Sequence, residues 1–242
     1  MKNISKIALF FLCINSLNKN SLAHNALSLI KHVEESIQKA NSLDSKLNES
    51  ILNLEGMSSA KVRHFLNNLC SLPEARYLEI GVYHGSTFIS ALYKNNLLDA
   101  IAIDNWSEFG FHKFDFLNNT NNYLPENSFR FHEGDCFALD LKALFTHPIT
   151  IYFYDGNHSL ESHKQAFTYF DKILDDIFIA VVDDWNWGPP YADGPDVQHG
   201  TKQAFEELGY IVLFERALPA HCHPDKENWW NGLYVAVIQK SK

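Results

Sequence analysis

The sequence predicts an α/β fold with a doubly wound, mostly parallel sheet. Short apolar runs typical of strands alternate along the chain with amphipathic segments that have helical spacing. Several of the runs are continuously apolar, as expected for strands that are buried on both faces. At 242 residues, of which 46% are hydrophobic, the chain is long enough for one such domain with an N-terminal extension.

Seven strands are predicted. In chain order they cover Tyr77–Ile80, Ala100–Asp104, Phe129–His132, Thr150–Asp155, Asp176–Val182, Tyr210–Glu215 and Leu233–Gln239. Helical spacing predicts helices at Ser86–Tyr93, Phe137–Phe145, Ser159–Phe170 and Thr201–Leu208. The aromatic and Asn-rich segment Asn105–Asn127 gives no clear helical pattern.

The N-terminal part of the chain divides into two segments before the main domain. Residues 1–23 have the layout of a secretory signal peptide, with a short basic start, an apolar run at Ile7–Leu17 and small residues at Ser21–Ala23. The run is too short to cross a bilayer as a helix, so no stable membrane span is expected. Residues 24–56 are polar with loosely helical spacing, which predicts a helical extension outside the core of the domain at 57–242. This extension is a candidate lid or homodimer contact.

Composition narrows the class of partner. The formal net charge is −9, and no stretch rich in Lys and Arg stands out, so a nucleic-acid partner is not expected. The four cysteines show neither zinc spacing nor a disulfide framework. A small-molecule substrate is the expected partner.

The first strand is followed by a glycine-spaced turn and a helix. Gly81 and Gly85 permit close backbone approach or positive φ, and Ser86 is a candidate helix cap. A helix N-terminus after such a turn offers free N–H groups to a ligand, so the turn is a candidate cofactor cradle.

Acidic residues follow successive strands. They are Asp104, Asp135, Asp155 and the pair Asp183 and Asp184. The carboxyl ends of parallel strands meet at one sheet edge, which is where open α/β sheets bind ligands. Asp104 lies 19 positions after Gly85, close to the spacing at which dinucleotide folds place an acid on a ribose. Glu79, two residues before Gly81, would repel a pyrophosphate and suits an amine-bearing ligand.

The run from Glu79 to Gly85 resembles motif I of class I S-adenosylmethionine-dependent methyltransferases, acid-x-Gly-x-Gly-x-Gly, with Tyr83 in place of the middle glycine. The resemblance covers about residues 57 to 240. This run and the segment Asp155-Gly-Asn-His158 make the chain similar to methyltransferase family 24, which contains small-molecule O-methyltransferase-like proteins. The resemblance implies a Rossmann-like sheet and S-adenosylmethionine as cofactor. The cofactor-binding residues that it implies are Glu79, Gly81 and Gly85 at the methionine part, Asp104 at the ribose, and Asp135 with Cys136 at the adenine.

The acids at two neighbouring strand ends form a second constellation. Asp155, Asp183 and Asp184 offer the hard oxygen ligands that Mg²⁺ or a similar divalent cation prefers. The similarity to catechol O-methyltransferase-like enzymes implies the same three metal ligands. It also implies that His158 is the catalytic base, where that family usually has Lys.

An aromatic loop follows at the same edge. Trp185 and Trp187 are candidates for stacking on an aromatic or sugar substrate, or for covering the sheet end.

The function that these features predict is methyl transfer from S-adenosylmethionine to a hydroxyl of a small molecule, assisted by a divalent cation. Two alternatives remain open at the level of sequence. One is a metal-dependent hydrolase or sugar-modifying enzyme that uses the same acidic edge, and the other is a non-catalytic binding module on this fold. The leader suggests export, whereas the cofactor suggests the cytoplasm, so the sequence settles no location.

Overall fold

A seven-stranded mixed sheet forms the centre of the molecule. The computed structural model describes residues 25–186 and 196–241. The strands are β1 (Arg76–Ile80), β2 (Asp99–Asp104), β3 (Arg130–Glu133), β4 (Ile149–Tyr154), β5 (Leu174–Val182), β6 (Ile211–Leu218) and β7 (Leu233–Gln239). Their order across the sheet is β3-β2-β1-β4-β5-β7-β6.

The strand order places a topological switch point in the middle of the sheet. From β1 the chain moves outward through β2 and β3 on one side, and then returns to β4 on the other side of β1. The pairs from β3 to β5 are parallel, and β7 runs antiparallel to both β5 and β6. A crevice is therefore expected beyond the carboxyl ends of β1 and β4. The predicted fold class is confirmed.

Helices cover both faces of the sheet. They are α1 (residues 25–41), α2 (Glu49–Leu52), α3 (Ala60–Leu69), α4 (Ser86–Leu92), α5 (Lys113–Tyr123), α6 (Leu141–Leu144), α7 (Leu160–Thr168) and α8 (Asp196–Glu207). Side chains of β1 alternate between two apolar clusters: Tyr77 joins the cluster that contains Phe65 and Phe88, and Leu78 joins the one that contains Phe167 and Phe205. Burial on both faces explains the continuous apolar runs in the sequence.

Two helical segments differ from the predictions. Residues 113–123 form α5 within the segment that showed no helical pattern. Only Phe116 and Thr120 of this helix are buried, and its asparagines have low helix propensity, so packing of Phe116 against Trp106 (ring centroids 5.5 Å apart) stabilises it. The single helix predicted over 137–145 is instead a 3₁₀ turn followed by α6, because Asp135 and Asp140 each cap a separate segment.

The N-terminal extension is helical, as predicted, but it does not lie outside the core. Val33 of α1 and Ile51 of α2 have no exposed surface and belong to the same apolar cluster as Phe65 of α3. Buried Arg63 donates from Nη1 to the backbone carbonyl oxygens of residues 51, 52 and 54, at 3.2, 2.9 and 2.8 Å. Both apolar contacts and hydrogen bonds therefore pack the extension onto the main domain, which begins at residue 57. The predicted leader, 1–23, lies outside the described residues.

None of the helices within 25–186 and 196–241 has the length and apolar character needed to cross a bilayer.

Two leucines of α1 test whether this helix contributes to the stability of the domain. Leu29 is 6% exposed and Leu27 is 68% exposed. We expect Leu29→Ala to lower the free energy of unfolding by about 2–5 kcal/mol, because it removes buried methyl groups and leaves a cavity. Leu27→Ala is the matched control and should change stability by at most about 0.5 kcal/mol. Urea denaturation measures both, and equal small effects would show that α1 is an appendage after all.

Candidate active site

A cavity of about 900 Å³ lies at the carboxyl ends of the parallel strands. Its wall includes the residue that directly follows each of β1, β3, β4 and β5, and the last residue of β2. Eight of the residues predicted from the sequence line it: Gly81, Asp104, Asp135, Cys136, Asp155, His158, Asp183 and Asp184. The strand-end acids are therefore neighbours in space, as the sequence pattern indicates.

The glycine turn brings β1 and β4 close together at the cavity wall. Gly81 has φ of 82°, and a Cβ atom at this position would lie 1.8 Å from the backbone oxygen of Asp155. Gly85 has φ of 85° and is itself the N-cap of α4, without a side-chain cap. The prediction that Ser86 caps this helix is wrong, since Ser86 is the first helical residue. Gly85 lies behind the turn and does not line the cavity.

Asp104 connects the end of β2 to the glycine turn. Its Oδ2 accepts hydrogen bonds from the backbone N–H groups of Val82 and Tyr83, both at 2.8 Å, and its Oδ1 accepts from the N–H of Trp106 at 2.7 Å. Carboxylate acceptors make strong hydrogen bonds to backbone N–H groups. Asp104 thus holds the turn in shape while it lies on the cavity wall.

Glu79 lies beneath the turn rather than on the cavity wall. It is fully buried, and its two oxygens accept hydrogen bonds from the hydroxyls of Tyr77 and Thr87, both at 2.5 Å. Burial raises the pKa of Glu79 to about 8, although these two hydrogen bonds act in the opposite direction. Among the described contacts, Glu79 links β1 to α4 and has no direct access to a ligand in the cavity.

The acidic residues after β4 and β5 form one cluster with His158. Nε2 of His158 lies 2.7 Å from Oδ2 of Asp184, and the side-chain amide of Asn231 donates to Oδ1 of Asp184, also at 2.7 Å. Ligand atoms of Asp155, His158 and Asp184 lie within 4.8 Å of one another. Asp183 adjoins this group, and its buried Oδ1 has no hydrogen-bond partner among the described residues.

The electrostatics of this acidic cluster follow from its burial. Burial and the neighbouring carboxylates raise the pKa of both Asp155 and Asp183. Burial lowers the pKa of His158, but its hydrogen bond to Asp184 and the charge of Asp184 outweigh burial, so this pKa is raised. Carboxyl groups are thus crowded at one side of the cavity, where burial and mutual repulsion oppose their ionisation.

The structure decides between the two interpretations of Trp185. Its indole is 4% exposed and stacks on Tyr234, with ring centroids 4.1 Å apart, and it does not line the cavity. Trp185 therefore covers the sheet end, and the prediction that it contacts substrate is not supported. Trp187 lies outside the described residues.

Asn231 and Phe109 are two examples of cavity residues that the sequence did not predict. Asn231 holds Asp184 although the two are 47 positions apart, and Phe109 lines the cavity from the loop between β2 and α5. Neither carries a local signal, because an isolated Asn or Phe in a loop has many structural roles. Only the fold brings them to the strand ends.

The buried carboxyl of Glu79 predicts a specific pH dependence of stability. A carboxyl whose pKa is raised from 4.5 to about 8 on folding contributes its stability at low pH and loses it as pH rises toward 8. We expect the stability of Glu79→Gln relative to the native protein to increase by about 1.4 kcal/mol per pH unit between about pH 5 and pH 8.

Urea denaturation across this pH range measures the Glu79 effect. Glu126→Gln, at an exposed position, controls for the loss of one carboxylate. A stability difference for Glu79→Gln that does not vary with pH would contradict the assignment.

Comparisons with known proteins agree with the fold. Residues 78–185 match the family model Methyltransf_24, a methyltransferase domain. No curated protein sequence matches the chain. An O-methyltransferase from Bacillus cereus, solved in complex with SAH, is 16% identical, with a TM-score of 0.54 over 86% of this chain and 91% of that chain.

A second solved structure is TomG from Streptomyces achromogenes, an O-methyltransferase involved in tomaymycin synthesis, in complex with SAM. It is 21% identical, with a TM-score of 0.57 over 85% of this chain and 90% of that chain. At these identities the structures establish the fold alone. The family match covers most of the strand ends and turns that build the cavity, although Asn231 lies outside it. Residues 78–185 therefore match a methyltransferase domain, and the chain has the fold of these two O-methyltransferases.

Proposed function

We propose that this protein is a methyltransferase that binds S-adenosylmethionine in the cavity and transfers its methyl group to a hydroxyl of a small molecule. The observation that carries the proposal is the glycine turn held by Asp104 at the edge of a cavity of about 900 Å³. This volume lies in the range of small-molecule sites, about 300–1,000 Å³. SAH and SAM occupy the two structures of the same fold described above.

The residues of the cavity wall fit such a cofactor. Gly81 has no side chain, so a ligand can approach the backbone of the turn closely. Asp104 still has acceptor capacity on Oδ1 for a ribose hydroxyl, because that oxygen accepts one hydrogen bond from the protein. Asp135 and Cys136 line the cavity beyond β3, where we place the adenine. The acidic wall suits a ligand with a positive sulfonium and an amino group.

We further propose that Asp155, Asp183 and Asp184 hold a divalent cation. The buried Oδ1 of Asp183 has no hydrogen-bond partner among the described residues, and further carboxylates cluster beside it. A bound cation would satisfy these oxygen atoms. A divalent cation bound there would lower the pKa of an acceptor hydroxyl. By holding that cation in a fixed position, the three carboxylates would orient the acceptor hydroxyl toward the methyl donor.

His158 is the proposed proton acceptor. Its hydrogen bond to Asp184 holds the ring in one orientation beside the cation site, and Asn231 holds Asp184 in turn. As the acceptor oxygen bonds to the methyl carbon and the carbon–sulfur bond breaks, the hydroxyl proton would pass to His158. The same geometry also permits His158 to be a further metal ligand, because its ligand atom lies within 4.8 Å of those of Asp155 and Asp184.

The alternatives from sequence analysis predict a different binding behaviour. A hydrolase or a sugar-modifying enzyme that uses the acidic edge does not need a methyl donor, and neither does a non-catalytic binding module. Binding of S-adenosylmethionine therefore separates the proposal from both.

Asp104 tests the proposed cofactor site. We expect Asp104→Ala to weaken the binding of S-adenosylmethionine by at least about tenfold, because the two hydrogen bonds that shape the turn and the proposed ribose contact are lost. Asp99→Ala is the matched control, since Asp99 begins the same strand at the opposite sheet edge. Titration calorimetry measures both, with thermal unfolding as a check on folding. Native protein that binds no S-adenosylmethionine at millimolar concentration would refute the proposed function.

Asp183 tests the proposed cation site without an identified acceptor. We expect Asp183→Asn to weaken Mn²⁺ binding by at least about tenfold while affinity for S-adenosylmethionine stays within about threefold, because the residue removed is a metal ligand and not a cofactor contact. Asp176→Asn, at an exposed position near the start of β5, is the control. Electron paramagnetic resonance of free Mn²⁺ measures the binding. Unchanged Mn²⁺ affinity in Asp183→Asn would exclude Asp183 as a ligand.

A further inference from the structure

A second cluster of potential metal ligands lies outside the cavity wall. It consists of His84 in the glycine turn and of His112 and Asp115 at the start of α5, and their ligand atoms lie within 4.8 Å of one another. None of the three is among the residues that line the cavity. The proposed methyl transfer gives this cluster no role.

His84 is the buried member of the cluster. Its ring is packed between aromatic neighbours, with its centroid 4.0 Å from that of Tyr83 and 4.2 Å from that of His112. The residue is 5% exposed, and its Nε2 has no hydrogen-bond partner among the described residues. A buried ring nitrogen without a partner costs free energy, so this position needs a ligand, a proton or an ordered water to satisfy it.

His112 is oriented in the way that metal-binding histidines commonly are. Its Nε2 lies 2.7 Å from the backbone oxygen of Phe109, and its Nδ1 lies 2.9 Å from Oδ2 of Asp115. A histidine ligand usually donates one ring N–H to a carbonyl, which leaves the lone pair of the other nitrogen for the metal. A proton on Nδ1 makes the contact with Asp115 a hydrogen bond. A metal ion can take the place of that proton between the same two atoms, while the Nε2–H group still donates to Phe109.

The surroundings provide access and further negative charge. The side chain of Asp115 is 56% exposed, and that of Glu55 is 82% exposed with its Oε2 3.9 Å from Nδ1 of His84. An ion can therefore enter from solvent, and a second carboxylate is near enough to take part. Two imidazoles with a carboxylate favour a zinc-type ion over Mg²⁺, which prefers oxygen ligands alone.

We propose that His84, His112 and Asp115 form a binding site for a divalent transition-metal ion of the zinc type, with Glu55 or water completing the coordination. Zinc bonds to nitrogen and oxygen are about 2.0–2.2 Å long, so ligand atoms lie within about 4 Å of each other around the ion, and these side chains need only a small movement. The ion would tie the glycine turn to the segment that carries Phe109, and so join two parts of the cavity rim. The site does not depend on the proposed function.

Titration of the purified full chain with Co²⁺ tests this site. Co²⁺ substitutes for zinc, and its visible absorption is intense in four-coordinate sites with nitrogen ligands and weak in six-coordinate oxygen sites. We expect one equivalent of Co²⁺ to give the intense spectrum and Zn²⁺ to abolish it by competition. An absence of the intense spectrum at millimolar Co²⁺ would overturn the proposal.

Single substitutions assign that spectrum to the proposed ligands. We expect His112→Ala and Asp115→Ala each to weaken Co²⁺ binding by at least about tenfold. Both side chains are partly exposed, so these variants should fold, whereas His84→Ala removes a buried ring and thermal unfolding must show that it is folded. Two controls should keep the spectrum: His147→Ala, at an exposed histidine elsewhere, and Asp183→Asn, in the acidic cluster of the cavity. Loss of the spectrum in Asp183→Asn, or its retention in both His112→Ala and Asp115→Ala, would refute the assignment.

Discussion

The close approach of β1 and β4 at Gly81 is the constraint on which the site depends. A side chain at Gly81 would overlap the backbone oxygen of Asp155, so the two strand ends can be neighbours only because this residue is glycine. Their contact creates the switch point in the sheet. The turn after Gly81 is then free to reach β2, where Asp104 accepts two of its N–H groups. One backbone contact thereby places the glycine turn and the acidic cluster at the same edge.

Buried carboxyl groups have two different roles at this edge. Glu79 is satisfied by two hydroxyl groups within the protein, and its raised pKa favours the neutral acid, which suits a residue that joins β1 to α4. The acids of the cavity are not satisfied in this way, since a buried oxygen of Asp183 has no described partner and Asp184 is held by His158 and Asn231. The first arrangement stabilises the fold, whereas the second is suited to a charged ligand.

Periodicity predicts the strands most clearly for β1, β2, β4 and β5, because parallel strands that are buried on both faces leave continuous apolar runs whatever their neighbours are. It failed for α5, whose helix depends on the packing of Phe116 more than on local preference, and for the extension, whose polar composition hid the buried face of α1. The five acids on the cavity wall were found because each lies at or just beyond a strand end. Gly81 was found from the turn that it begins, and Cys136 and His158 through the resemblance to known methyltransferases. Trp185 also follows a strand, but its ring stacks on Tyr234 of a neighbouring strand and is not part of the cavity wall.

The sequence by itself determined the class of fold, the glycine turn and the acids at the strand ends, since these follow from local patterns and from the geometry of parallel sheets. Only the tertiary structure decided which strands are neighbours, that Asp104 holds the turn, and that Asn231 holds Asp184. It also brought His84 next to His112 and Asp115. These contacts join residues far apart in the chain, and their energies depend on distances and burial that no local pattern specifies.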